Sequence, residues 1–522
     1  MQFSRRKFMQ LAASASTLAA ADPGRAAEFM PLFKDKVDLA VDSGSNTSGF
    51  RSNLLMTEKE IWDWQVWMAG LGPKFTGNKA HHTFVDFLEK QLKDTGLQVT
   101  RDNAKLPVWE ARRSAIKVMP NDGAPFDAPV TSPVPYSGQT PPSGITADLV
   151  YAGLAPAFDF RHVKGKIAFI EAPVRARSWA IWYPNVWGTI PPNMTFPAAV
   201  HPCRAGIGGG GGQGQIAVPN IDAFRDAGAV GVIVGWTDIS DANAAHQYTG
   251  GGGLMNIPSL WVGRETAEKL RHTALWGKGA KVTLTLEADL DQNGSTDHLI
   301  APLPGMTDDE IIIVDSHTDG TNATEENGGL VICSLAKYFS QIPKSERRRT
   351  IMFVLQSGHI SRGYVGSIHD VLVRHPDFVK RAAAALTIEH LGCQEWQDDA
   401  SFNYKHTGQN EIAMVYAPMK VHGDIMVEAF QGTGATRTAV VQPSATTDVG
   451  ESGALIAAGI PTLGMIVMPD YLFAAPPNGL IEKLDSSLMY SQIQAFAKII
   501  HKLDTMTMAE LKGQDAQQLQ DA

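Results

Sequence analysis

Imidazoles and carboxylates recur at three places in this 522-residue chain, each time just after an apolar run. Ile311-Ile312-Ile313-Val314 leads into Asp315-Ser316-His317-Thr318-Asp319-Gly320, and Glu325-Glu326-Asn327-Gly328-Gly329 follows. Phe353-Val354-Leu355 leads to Ser357-Gly358-His359, and Ala383 to Ile388 leads to Glu389-His390. These residue types bind divalent metal ions and move protons. Taken singly, each has a bland alternative: Glu325 as a solvated acid, His390 as a hydrogen-bonded core histidine. Taken together they are hard to dismiss, because a decaying site would not be expected to keep acids and imidazoles at three separate places.

For these groups to converge, the apolar runs must be strands buried on both faces, since a run without alternation has no solvent side. Strand, polar loop and helix make half of a βαβ unit, and open α/β sheets bind ligands beyond the carboxyl ends of their strands. The helix is expected from Leu330 to Phe339, where apolar residues keep helical spacing. Strands are expected at Arg349 to Leu355, at Ala383 to Ile388, and at Gly459 to Ile466, the last preceded by Asp448 and Glu451. Upstream, helices at Glu58 to Met68 and around Phe84 to Leu92 flank the glycine-rich loop Gly70 to Gly77. Gly96 is placed to end the second helix, and Leu97 to Thr100 alternates as a strand. The final helix is expected from about Ser486 to Leu503.

Length alone implies two or more domains. With 44% apolar and 19% charged residues the composition is that of a globular protein, and a net charge of −9 argues against general nucleic-acid binding. Three cysteines, Cys203, Cys333 and Cys393, cannot build a disulfide framework. Ser4-Arg5-Arg6-Lys7-Phe8-Met9 and the mild apolar run after it form a twin-arginine signal, expected to be cleaved within residues 1–27. The run is too short to anchor as a membrane span. The expected location is therefore periplasmic or secreted, with the twin-arginine export machinery as a partner. The glycine-rich run Gly206 to Gly214 lacks the Lys-Ser/Thr of a phosphate loop and is expected as a flap.

The segment from Glu58 to about Asp504 resembles the zinc aminopeptidase and glutamate carboxypeptidase-like family. It does so through His317-Thr318-Asp319, Glu326-Asn327, Glu389-His390-Leu391-Gly392 and Gly459-Ile460-Pro461. The resemblance implies an α/β fold, a mostly parallel mixed sheet flanked by helices, with a metal pair at the strand ends. It also implies that His317 binds metal while Asp319 holds it from behind. Between the two parts of that fold, "KGKIAFI", "AGAVGVIV" and "IPSLWV" resemble an inserted β-rich protease-associated domain. The implied organisation is a signal at 1–27, a catalytic domain at 50–147 and 291–508, the insert at 148–290, and a polar tail at 509–522.

The chain departs from the family's pattern in ways that bear on chemistry. The family's two metal-binding aspartates fall at Glu326, with Glu325 the alternative, and at Glu389. The paired glutamates expected after Phe353-Val354-Leu355 are replaced by Ser357-Gly358-His359-Ile360, and the late histidine falls at Ser452, beside Glu451. What remains suffices for one divalent metal, zinc being the expected ion, because three protein ligands plus water make a catalytic zinc site. His317, Glu326 and Glu389 are the metal candidates; His359, Glu325 and Asp319 are the catalytic candidates. His390, Ser452 and Trp182, from the Trp-rich stretch Ser178 to Trp187, are the substrate-binding candidates. Three readings stay open. One is an exported metal-dependent hydrolase of an amide, peptide or related bond, acting on a small-molecule or peptide substrate. A second is a metal-independent hydrolase using Ser357 and His359. The third is a binding protein that lost its ligands. Oligomeric state is not legible.

Overall fold

The computed structural model describes residues 49–174, 185–195, 220–249, 253–361, 367–443 and 450–513. The twin-arginine signal, Trp182, the Gly206 to Gly214 flap and Asp448 lie outside the described residues.

The apolar run after Thr307 is the middle of a sheet. Strand Thr307–His317 pairs in parallel with Arg349–Gln356 on one side and with Ala382–Ile388 on the other, and Ala382–Ile388 pairs in parallel with Thr462–Val467. Further pairings, antiparallel except that of Ala413–Tyr416 with Thr438–Gln442, extend the sheet to Thr100–Lys105 at one edge and Asn185–Ile190 at the other, giving nine strands among the described residues. Successive strand side chains point to opposite faces. Ile312 and Val314 accordingly join the core under the helices Gly328–Ser340 and Ser486–Thr505, while Ile311 and Ile313 join a second core with Ile368 and Val371. The continuous apolar run exists because both faces are covered.

Most expected elements lie where the spacing put them. Helices run over Glu58–Ala69, Lys79–Asp94, Gly328–Ser340 and Ser486–Thr505. The first is closed by a capping box between Thr57 and Glu60. The strand expected at Leu97 to Thr100 instead runs over Thr100–Lys105. Leu97 is drawn into the main core, and the polar residues Thr100–Lys105 pair with Ser295–Leu303, so edge pairing outweighs the local pattern.

A second mixed sheet takes its strands from Val108–Pro120 through Ala280–Asp291, and so includes residues before position 148. Its core holds Trp236 stacked on Trp261 at 4.2 Å. This unit packs on the loops at the carboxyl ends of the first sheet. Tyr248 N–H donates to Phe473 O at 2.7 Å and Ala475 N–H to His246 O at 2.8 Å, the Tyr248 ring stacks on Phe75 at 4.3 Å, and Ile360 enters the second unit's core. No helix among the described residues is long and apolar enough to cross a membrane.

One glycine sets how closely the acid loop approaches the strands. A Cβ on Gly328 would lie 2.1 Å from Ile388 O and 2.2 Å from Ser316 Oγ. Gly328→Ala is expected to destabilise the protein by about 1–3 kcal/mol, the usual cost of overpacking, measurable by urea unfolding.

Candidate metal centre

Three neighbouring parallel strands deliver their carboxyl ends to one edge. His317 is the last residue of its strand, Glu389 and His390 follow Ile388, and His359 follows Gln356 after a short turn. His390 sits in the left-handed region at φ 59°, which a side-chain-bearing residue adopts only when its surroundings hold it there. Asn327 provides part of that hold: it accepts from Leu391 N–H at 3.0 Å and donates to Leu391 O at 2.9 Å. The acid loop is tied on its other side by Asn322, whose amide donates to Leu472 O and Ala474 O, both at 2.8 Å.

His317, Glu389 and His390 each offer a ligand atom within 4.8 Å of the others, and all three are buried. The Nδ1 atoms of both histidines face carbonyl oxygens, His317 that of Asp319 at 2.9 Å and His390 that of Val467 at 2.7 Å. A carbonyl only accepts, so each Nδ1 carries the proton and each Nε2 is a free lone pair. Both Nε2 atoms are buried without a partner. Burial, reinforced by the His359 charge, lowers the His317 pKa; burial and His317 hold His390 well below its ordinary value. Two neutral imidazoles and a carboxylate are a donor set of a catalytic zinc, and each histidine has the outer hydrogen bond that fixes such ligands. The residues therefore fit a divalent metal.

Other charged groups lie beside ions of opposite sign. His359 lies between two carboxylates, its Nδ1 against Glu451 Oε1 and its Nε2 3.3 Å from Glu325 Oε1. Burial would lower its pKa, but Glu451 and Glu325 outweigh burial and hold it well above the ordinary range, as an imidazolium. Burial alone would raise Glu451, and His359 reverses this. Glu389 accepts from Glu451 N–H at 3.0 Å; burial and the Glu451 charge push its carboxyl well up. The His359 side chain is 21% exposed while Glu325 is fully enclosed, so His359 is where this cluster meets solvent.

Several expected residues turn out to do something else. Glu326, expected as a metal ligand, is paired with Lys74 at 2.5 Å, both side chains fully buried. Even with the ammonium beside it, burial pushes the Glu326 carboxyl up to about 7. Asp319, expected as a catalytic carboxylate, accepts from the amides of Gly358 at 3.0 Å, His359 at 3.3 Å and Ile360 at 3.1 Å, and from the Thr76 hydroxyl. It anchors the His359 loop rather than facing substrate. His390, expected to contact substrate, belongs to the metal-binding group. Ser452, also expected to contact substrate, is fully buried beside Tyr416. Ser357 is fully buried too, its hydroxyl donating to Asp297 O at 2.9 Å and lying 2.7 Å from Thr318 Oγ1, which leaves it unavailable as a nucleophile. Lys74 carried no signal in sequence beyond its place in the glycine-rich loop. Glu451 was visible only as the acid next to the displaced histidine position.

Solved structures with a similar arrangement of elements include peptidases. The chain is similar to a zinc aminopeptidase from Bacillus subtilis, with a TM-score of 0.59 and 16% identity over 88% of this chain and 98% of that one. The chain has the zinc aminopeptidase fold. An aminopeptidase from an Aneurinibacillus species matches with a TM-score of 0.54 and 16% identity, covering 86% of this chain and 93% of that one. A peptidase M28 precursor from Shewanella amazonensis matches at 0.59 and 17%, covering 86% and 98%. No protein-family model and no curated protein matches the sequence. His317 and Glu389 lie at the ends of two neighbouring parallel strands, and the His359–Glu451 pair lies beside them.

Asp319→Ala leaves three amides without their charged acceptor, and a charge-assisted bond is worth about 1.5–3 kcal/mol. The expected outcome is a loss of about 3 kcal/mol in urea unfolding, together with faster hydrogen exchange at Gly358, His359 and Ile360.

Proposed function

We propose that this protein is a metal-dependent hydrolase that cleaves an amide or peptide bond at a centre held by His317, Glu389 and His390. The observation that carries the reading is the pair of buried, unpartnered Nε2 atoms, each fixed in the metal-binding tautomer by a carbonyl on Nδ1. Nothing in an ordinary apolar core explains two such atoms beside a carboxylate. Zinc is the ion this donor set suits, and when bound it would polarise a carbonyl and lower the pKa of water.

The chain's own groups supply proton transfer. Glu325 Oε2 is fixed by Thr321 N–H and hydroxyl at 2.8 Å each, which aims Oε1 at His359. Glu325 Oε1 is the acceptor for a proton released by attacking water, and His359, already protonated and partly exposed, is the donor to the leaving amine. Asp319 acts through the loop it anchors. The fold's aminopeptidase relatives support a peptide as substrate. The second unit, whose strand motifs resemble a protease-associated domain, stacks Tyr248 on Phe75 of the glycine-rich loop. Trp182, outside the described residues, remains a proposed substrate-binding residue. The signal at 1–27 supports folded export to the periplasm by the twin-arginine machinery.

Metal analysis of the purified mature chain, with hydrolysis of a peptide and arylamide panel, tests the reading. Chelation is expected to abolish hydrolysis and zinc to restore it. His317→Ala and His390→Ala should each lose metal and at least about 100-fold in kcat/KM, since loss of an inner ligand costs more than the 10–100-fold of an outer one. His359→Gln should keep its metal and lose about 100-fold in kcat, the scale of general acid–base catalysis. A metal-free protein with undiminished hydrolysis would overturn the proposal.

A further inference from the structure

We infer that His81 is a positioning residue for the metal centre, holding the His317 turn in place through a hydrogen bond to the Thr318 hydroxyl. The inference rests on the proposed metal-dependent reading and deepens it.

The helix Lys79–Asp94 buries Phe84, Val85, Leu88 and Leu92 on one stripe, and His81 stands on that same stripe, fully buried. A polar ring in an apolar position costs free energy unless its nitrogens are bonded. Both are bonded, and each bond goes to a loop of the site. Gly77 N–H, in the glycine-rich loop, donates to His81 Nδ1 at 2.9 Å. An amide N–H only donates, so Nδ1 is the acceptor and Nε2 carries the proton. Burial lowers the His81 pKa to about 4, which keeps the ring in this neutral form. Nε2 lies 2.9 Å from Thr318 Oγ1 and therefore donates to it.

Beyond Thr318 the direction of each bond is set from the far end. Asp297 O can only accept, and it takes the Ser357 hydroxyl proton at 2.9 Å. Thr318 Oγ1 therefore donates to Ser357 Oγ at 2.7 Å, with Gln356 O a longer acceptor at 3.1 Å. Ser357 N–H in turn donates to His298 Nδ1 at 3.0 Å, and His298 Nε2 lies 3.0 Å from Asp370 Oδ2. A directed chain thus runs from the glycine-rich loop to the strand that carries Asp297. It passes through the one residue between His317, a metal candidate, and Asp319, the anchor of the His359 turn. The first turn of the helix that carries His81 is fixed as well, His81 N–H donating to Asn78 Oδ1 at 2.8 Å. His81 is outside the metal-binding group itself, so it acts through Thr318.

The test separates the two ring nitrogens. His81→Asn puts an amide oxygen where Nδ1 stood, keeping an acceptor for Gly77 and giving up the donor to Thr318. His81→Gln puts an amide nitrogen where Nε2 stood and keeps that donor. Zinc affinity is measured by calorimetry on the apo mature chain, and kcat and KM with the best substrate of the peptide and arylamide panel. His81→Asn and Thr318→Val should each weaken zinc binding and lower kcat about tenfold, the low end for an outer partner, at unchanged KM. His81→Gln should stay within about threefold of wild type, and the His81→Asn/Thr318→Val double should be no worse than the weaker single, because both cut the same bond. Wild-type zinc affinity and kcat in His81→Asn or in Thr318→Val would overturn the inference and leave the metal-dependent reading intact. Equal losses in His81→Asn and His81→Gln, the result of a packing role alone, would overturn it too. A wild type that binds no zinc would defeat both. Should His81→Asn fail to fold, Thr318→Val, which keeps the shape of the side chain, decides.

Discussion

A carboxylate taken out of water must find a cation, a proton or several N–H donors, and this protein takes many acids out of water at one sheet edge. Each of those three remedies is in use. Glu326 has the Lys74 ammonium, Glu325 and Glu451 share the His359 imidazolium, and Asp319 has three backbone amides. Glu389, with one amide among the described residues and a like charge nearby, has its carboxyl pushed well up. A buried pair with one partner removed costs several times what the intact pair contributes, so these residues constrain one another and the loops that bear them. The glycine-rich loop, the acid loop, the His359 turn and the Glu451 segment are thereby held to a common point.

The sheet makes this convergence possible. Parallel pairing of Thr307–His317 with strands on both sides sets three carboxyl ends side by side, where loops can differ in chemistry without disturbing the strands. In those loops His359 meets Glu451 and Glu325, and Lys74 meets Glu326. The cores beneath remain apolar on both faces of the sheet. The second unit adds an apolar contact with the first sheet's loops, Tyr248 meeting Phe75 and Ile360.

Much of this was legible in the sequence, for identifiable reasons. Ile311 to Val314 could be placed because a run with no polar residue fits only a strand covered on both sides. The helix that follows could be placed because its apolar residues repeat at helical spacing. His317 and Glu389 were legible because each follows such a run directly. Polar strands were harder: Thr100–Lys105 carries no alternation to read, and its position was decided by the neighbour it pairs with.

The sequence by itself determined the layered α/β architecture and which strand ends carry chemistry, because hydrophobic periodicity is a local property of the chain. Only the tertiary structure decided how the charges are shared. Glu326 and Glu325 are adjacent in sequence, yet one turns to Lys74 from a loop some 250 residues away and the other to His359. His390 joined His317 and Glu389 because its backbone is held in a left-handed turn that aims Nε2 inward. Ser357 is tied by its hydroxyl to Asp297 O and Thr318, a contact no local pattern shows. Which acid meets which cation depends on distances across the fold, and spacing along the chain does not encode them.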